Sequence, residues 1–384
     1  MTEYQFKSRL GRADDIVALQ EHFFAQGWTD GLPVVPPIPE RVAEFLAHCE
    51  MQPDDLICII PTRNRAISAE KVAINCVMAG CRPDFMPVVV AILQAMAEPN
   101  YLFHASITST GGAAPFVVVN GPVRNELEMN SGVNVFGPGN RANATIGRAV
   151  RLILINVAGA RPGVLDKSTQ GHPGKYSYCI AEAEEVSPWE PYHVERGFHP
   201  STSTVTVFAG ESGHGIQNHE SGDGEELLSC IAREMASIGG FTLGQSVLVL
   251  SPEHAGVIAK TGWSKAGVKQ FLFDHATQSL ADLRRFGKVA GTFPAQYRRA
   301  DLQEKLVEAG RPEGEVAHYQ ALAEIEGDPE ARHIHRGFGP DDIVMVVAGG
   351  AAGGHSAFIP SWSRSRASLF QTRAIDRYCE VCEI

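Results

Sequence analysis

Apolar positions along the chain switch repeatedly between helical and strand spacing. From Asp14 to Trp28, residues Ile16, Leu19, Phe23 and Phe24 share one helical face. The following LPVVPPIP run (Leu32–Pro39) is expected to be extended, because each proline fixes its own φ and biases the residue before it. Glu40–Glu50 restarts a helix, Leu56–Ile60 reads as a short strand, and Ser68 suits the N-cap of a helix reaching Met78. Met86–Ala97 is apolar all round and predicts a buried helix. Ala105–Thr108 and Phe116–Asn120 are expected as strands, the second closed by Asn120-Gly121-Pro122. Met129–Asn143 is rich in Asn and Gly, and Ala144–Asn156 is helical again.

Residues 159–203 carry Pro, Gly, His and aromatic side chains without a period, which marks a long irregular segment of functional or interface character. Thereafter strands at Thr204–Ala209, Ser246–Leu250 and Ile343–Val347 alternate with helices at Glu225–Ile238, Pro252–Lys260, Ser264–His275 and Ala281–Phe286. The expected fold class is α/β, with two layered α/β units, mixed sheets and a long irregular central segment. The expected division is an N-terminal unit 1–160, a connecting or interface segment 161–203 and a C-terminal unit 204–384. The last of these carries a helical insertion at about 296–327 and ends in a Cys379-x-x-Cys382 tail.

Composition narrows the classes. Of the 384 residues 44% are hydrophobic and 20% charged, a globular balance that disfavours disorder. The formal net charge of −11 disfavours a nucleic-acid backbone or an anionic membrane as partner, and leaves a small anion in a local cationic pocket open. The N-terminal residues lack the apolar core of a signal peptide, and no run approaches a membrane span. With eight cysteines and no export signal, thiols or ligands are expected in a reducing, cytoplasmic setting.

The cysteines are the first chemical candidates. Cys379 and Cys382 have the spacing to close a disulfide or grip a soft metal, and their place near the chain end suits an arm that exchanges electrons with a buried thiol. Cys76 and Cys81 flank a helix end capped by Gly80. Cys179 lies near Lys175 and His172, whose charge would favour a thiolate. Cys49, Cys58 and Cys230 fall on core faces. Cys81 or Cys179 is thus the expected resident thiol, regenerated by the terminal pair. A metal would be held by Cys76, Cys81, Cys379 and Cys382, or by His214 and His219 on a glycine-rich loop with carboxylates close behind. His254 is expected in the first turn of a helix. Zinc or an iron–sulfur cluster would suit these ligands, and the cofactor is otherwise undetermined.

Two loops could hold an anion. Gly137-x-Gly139-x-x-Ala142 resembles a dinucleotide fingerprint, but Pro138 removes a donor and no acidic ribose partner follows, which disfavours NAD. Asn140, Arg141, Asn143 and Arg148 lie beside it, and arginine in a first helical turn invites an anion. The second loop, Gly349–Gly354, could form an amide nest through Gly350, Gly353 and Gly354, with His355 and Ser356 supplying base and hydroxyl. It lacks a P-loop ending, which disfavours ATP. Adjacent residues such as His355 and Ser356 rarely point into contact.

The stretches Trp28–Pro37, Asn130–Ala149, His172–Pro191 and Gly262–Leu272 resemble a bacterial family whose members in turn resemble partners of UGSC-type selenoproteins, small Rossmann-like proteins with a reactive Sec or Cys loop. The resemblance covers most of the chain and implies selenol or thiol chemistry shared between two polypeptides. It carries over no catalytic residue. The U/C-G-S-C motif is missing here, so such a role would fall to a partner or to Cys379 and Cys382.

Three readings follow. The leading one is an enzyme acting on a small anionic substrate by cysteine thiol or redox chemistry, with or without a Cys-bound metal. The second is a metal-dependent lyase or hydrolase built on His214 and His219. The third is a non-catalytic subunit of a heteromeric redox enzyme, docking through 160–203. A homo-oligomer or a heteromeric partner is expected in each case.

Overall fold

The β-branched run near residue 117 does form a central strand. The computed structural model describes residues 4–239, 244–286, 288, 333–337, 339–362 and 369–376. The elements run α1 (Ile16–Gln26), α2 (Pro39–His48), β1 (Leu56–Ile60), β2 (Arg65–Ser68), α3 (Ala69–Ala79), α4 (Met86–Ala97), α5 (Phe103–Thr108), β3 (Ala114–Asn120), α6 (Val123–Glu126), α7 (Arg141–Asn156), β4 (Cys179–Ala181), α8 (Tyr192–Glu195) and β5 (Thr204–Gly210). They continue with β6 (His214–Gln217), α9 (Gly224–Ser237), β7 (Ser246–Leu250), α10 (Pro252–Lys260), α11 (Lys265–His275), β8 (Thr277–Ser279), α12 (Leu280–Arg285), β9 (His333–His335), β10 (Ile343–Val347), β11 (His355–Ile359) and β12 (Gln371–Ala374). Helices and mixed sheets interleave, as an α/β fold requires.

The chain divides into two units. Unit 1 takes Met1–Ser212, Val346–Ala352 and Phe370–Ile384, and unit 2 takes Gly213–Met345 and Gly353–Leu369. The 161–203 segment and β5 therefore belong to unit 1. The 296–327 segment lies outside the described residues.

Unit 1 is built on a four-stranded sheet in the order β12-β5-β3-β4. β3 pairs antiparallel with β5 from Ala114↔Gly210 to Asn120↔Thr204, and parallel with β4 at Val117↔Cys179. A parallel pair needs a crossover, and the chain from β3 to β4 supplies one that carries α7. Because side chains alternate, Phe116, Phe208 and Tyr178 line up on one face, with Phe116 4.5 Å from Tyr178 and 5.6 Å from Phe208 between ring centroids. Val117, Val207 and Cys179 point the other way. Every residue of β5 is buried, which explains why it reads as a continuous run rather than an alternating one.

Unit 2 is organised around the order β10-β7-β11-β6, with β11 antiparallel to both β6 and β7. α9 packs against α10 and α11 through Leu227, Leu228, Ile231 and Met235, the apolar face of an amphipathic helix. Among the described residues, no single helix is long and apolar enough to cross a membrane.

Three local expectations are corrected. Ala105–Thr108 is the end of helix α5, not a strand; four apolar-leaning residues are too few for their spacing to separate the two. The segment expected to be irregular contains strand β4, recruited by β3 rather than by its own pattern. The His214–His219 loop is largely strand β6, since edge pairing with β11 supplies the hydrogen bonds that its glycine-rich sequence does not advertise.

Gly121 terminates β3 with φ +82°, and a Cβ there would lie 2.5 Å from the Thr202 carbonyl oxygen and 2.7 Å from Ser203 Cα. Both backbone strain and a clash with fixed backbone oppose any side chain. Gly121→Ala is expected to lower the unfolding free energy by about 2–3 kcal/mol. A urea titration followed by tryptophan fluorescence measures this, and an unchanged midpoint would contradict the assignment.

Candidate functional site

The thiols converge, though not as reactive ones. Cys76 lies in the last turn of α3 and Cys81 just beyond its Gly80 cap, where the Cys81 N–H donates to the Cys76 carbonyl (3.0 Å). The two side chains are hydrogen-bonded, and the Cys81 thiol also donates to the Thr145 carbonyl of α7 (3.3 Å). Cys179 faces the same region from β4, close enough to feel Cys81 electrostatically. All three are buried, and burial pushes the pKa values of Cys76 and Cys179 up. Burial likewise pushes Cys49 and Cys58 up to about 12. Nucleophilic cysteines need a lowered pKa and access. Cys179 has neither, and Cys81 is without access, so the expected resident thiol finds no support at either position. The nearby Lys175 does not help Cys179, because its ammonium is paired with Asp166. Cys379 and Cys382 lie outside the described residues.

The expected anion-binding residues are committed to holding the fold. Asn140 caps α7 by accepting the Asn143 N–H (3.0 Å). The Asn143 side chain bridges the Asn130 backbone, accepting its N–H and donating to its carbonyl. Arg141 donates to the Gly80 and Cys81 carbonyls, so its charge completes the C-terminus of α3. Arg148 makes a two-pronged pair with Asp30 (2.8 and 2.9 Å) and reaches the Pro33 carbonyl (2.8 Å), which anchors the proline-rich segment. Gly350 is packed against Val133.

A cationic cluster that spacing alone does not reveal lies elsewhere in unit 1. Arg151 projects from the apolar stretch of α7, and the irregular chain after it delivers Asp166, Ser168, His172 and Lys175. Lys175 Nζ donates to Asp166 (2.6 Å) and to the Ser168 hydroxyl (2.6 Å). Ser168 in turn has Asp166 Oδ1 (2.7 Å) and the Gly111 carbonyl (2.9 Å) as acceptors for its single proton. Burial works to raise the Asp166 pKa, but the hydrogen bonds from Lys175 and Ser168 outweigh it and hold the carboxyl below its usual range. Burial lowers Lys175 and Arg151 against the pull of Asp166. His172 is lowered by burial, and its buried Nε2 has no hydrogen-bond partner.

Arg151 is held by one short hydrogen bond and one long ion pair. It is 7% exposed, its Nε donates to the Lys175 carbonyl (2.6 Å), and its Nη1 stands 3.6 Å from Asp166. It lines a closed crevice, too tight for a water molecule, with Tyr101, Ser106, Ile107, Ala113 and Pro115. A lone arginine inside the apolar Val150–Ile155 run is the signal that could have exposed this site in the sequence.

At the opposite ends of β3 and β4, Arg124 pairs with Glu184 (3.0 Å) and Glu185 (2.9 Å), and Asn120 donates to Glu182 and Glu184. The Arg124 hydrogen bond pushes Glu185 down to about 2. This network ties the chain after β4 to the turn after β3.

In unit 2 the expected histidine pair is not brought together. His214 starts β6, and His219 lies in the bend two residues beyond its end at Gln217. His219 instead meets His355 edge to face, 5.0 Å between ring centroids. Among the described residues, no three His, Cys, Asp or Glu side chains are arranged to hold a metal ion. His355 and Ser356, adjacent on β11, face opposite ways: the imidazole is exposed and the hydroxyl buried.

The imidazole that Ser356 does meet is His254 in the first turn of α10, 2.7 Å from Oγ to Nδ1. His254 Nε2 faces the Asn218 carbonyl at 2.9 Å. A carbonyl only accepts, so Nε2 carries the proton and Nδ1 is left to accept from Ser356. The Gly353 and Gly354 N–H groups converge on one carboxylate oxygen of Glu253 (2.9 Å from Gly354 N). These two donors hold the Glu253 carboxyl below its usual range.

No protein-family model and no curated protein sequence matches this chain.

Proposed function

We propose that the chain is an enzyme for a small organic anion, most simply a carboxylate, which unit 1 holds through Arg151. The observation that carries this reading is the guanidinium itself. It presents five donors, is almost wholly buried, and has one good hydrogen bond and one loose ion pair. Arg151 and Lys175 together bring two buried cations to one carboxylate, Asp166. A buried cation whose ion pair is long is costly, and a second carboxylate admitted by opening of the crevice beside Arg151 would relieve that cost. His172, whose pKa burial lowers, is the neighbouring titratable group on the same segment.

Isothermal titration with small mono- and dicarboxylates, phosphate, sulfate and nitrate tests the reading. At least one carboxylate is expected to bind saturably, and Arg151→Met to weaken it about 10- to 100-fold, the worth of one charge-assisted hydrogen-bond pair. If every anion that binds does so equally well in the Arg151→Met protein, the site is elsewhere.

A further inference from the structure

We propose that Ser356 and His254 of unit 2 form a nucleophile–base pair for acyl transfer from small activated esters, with the Gly353 and Gly354 amides as the oxyanion donors. This site is independent of the anion site in unit 1. Three geometric observations combine. The Ser356 hydroxyl donates to a neutral imidazole at 2.7 Å, the distance and tautomer that base activation needs. The imidazole is oriented from behind by the Asn218 carbonyl at 2.9 Å, the place a carboxylate takes in serine proteases, with the roles of the two ring nitrogens exchanged. Two successive backbone N–H groups two and three residues before Ser356 converge on a single anionic oxygen, as an oxyanion hole does.

Other contacts sharpen the pair. The Ser251 N–H, at the start of α10, donates to Ser356 Oγ (3.2 Å), where it would steady charge developing on the hydroxyl oxygen. Gly354 cannot carry a side chain, because a Cβ would fall 2.5 Å from the Asn218 carbonyl that orients His254. Burial lowers the His254 pKa, against the Asn218 carbonyl, which favours the free-base form at neutral pH.

In the proposed step, Ser356 Oγ bonds to the ester carbonyl carbon as its proton passes to His254 Nδ1. The carbonyl oxygen becomes the oxyanion on the Gly353 and Gly354 N–H groups. Collapse breaks the bond to the alkoxide, which leaves as the alcohol with the proton from His254. Water then attacks the acyl-serine, giving its proton to His254, and the carboxylic acid departs as Ser356 regains the proton. The net change is ester plus water to acid plus alcohol, without an external oxidant or reductant. At rest Glu253 occupies the oxyanion donors and the Ser356 hydroxyl is buried, so the Glu253 carboxylate and the packing over Ser356 must both open before a substrate enters.

A fluorophosphonate probe on the full-length protein, with the labelled peptide identified by mass spectrometry, tests this directly. Ser356 is expected to be labelled, about 100-fold more slowly in His254→Gln, the usual worth of a general base. Glu253→Ala, which empties the oxyanion donors, is expected to label faster than wild type. No adduct on Ser356 in either wild type or Glu253→Ala would overturn the proposal and leave the pair as a buried structural hydrogen bond. Labelling at the same rate in His254→Gln would overturn the base role. The wild-type adduct needs no variant to fold.

Discussion

Asp166→Asn is expected to destabilise the protein by about 3–5 kcal/mol, the cost of stranding buried charge when one partner of an ion pair is removed. Asp166 is the carboxylate that answers both Lys175 (2.6 Å) and Arg151 (3.6 Å), and all three side chains are buried or nearly so. The amide of asparagine keeps the shape and one acceptor, but not the charge. The loss is therefore electrostatic, and it should be largely recovered by removing a cation as well. The double variant Asp166→Asn with Lys175→Met is expected to be more stable than the sum of its parts by about 1–3 kcal/mol. The pH dependence has a definite direction. The folded pKa of Asp166 is lowered, so its contribution is complete above the ordinary aspartate range near pH 4 and disappears as the pH falls through the lower native value. Urea unfolding of wild type and both variants at pH 7 and pH 2 measures this. Equal stability of Asp166→Asn and wild type at pH 7 would show that the cluster carries no net pairing energy.

The same cluster shows which parts of a site reach the reader through sequence. Arg151 was legible in principle, since a guanidinium amid Val150, Leu152 and Ile153 must find a buried partner. Asp166, Ser168 and Lys175 were not. They lie on a segment with no period, and only tertiary packing decides which of its polar groups turn inward. The framework was more open to view, because Val117–Val119 of β3 and the apolar length of α4 allow few alternatives. Strand β6 was hidden, because Gly215 and polar neighbours give it no alternation and its pairing with β11 is made far along the chain. The partnership of His254 with Ser356 spans 102 positions, and no local rule links them. Arg141 and Arg148 were conspicuous, and conspicuousness misled. An arginine at a helix start invites an anion, but the nearest acceptors here are the end of α3 and Asp30.

Raising the pH from 8 to 10 under reducing conditions is expected to destabilise the native state by at least about 4 kcal/mol, through thiols alone. Free cysteine ionises near pH 8.5, whereas burial pushes Cys49 and Cys58 up to about 12. For a group whose native pKa is raised, stability is intact below the unfolded pKa and is lost as the pH climbs toward the native value. At pH 10 the unfolded chain has released these protons and the folded one has not, so each thiol costs about 2 kcal/mol. Cys76 and Cys179 are raised as well and add to the loss. Lys175, whose pKa burial lowers, acts in the opposite direction, but it is one group against four. The urea midpoint should fall steadily over this range, and Cys58→Ala should flatten the fall by its own share of about 2 kcal/mol. The sign also discriminates between chemistries. A Cys179 working as a nucleophile would hold a depressed thiol pKa, would favour ionisation in the folded state, and would gain stability as the pH rises toward 8.5. A midpoint that rises over pH 7–8.5 in wild type and not in Cys179→Ala would therefore restore thiolate chemistry to this protein. A monotonic fall above pH 8 leaves these four buried cysteines as packing.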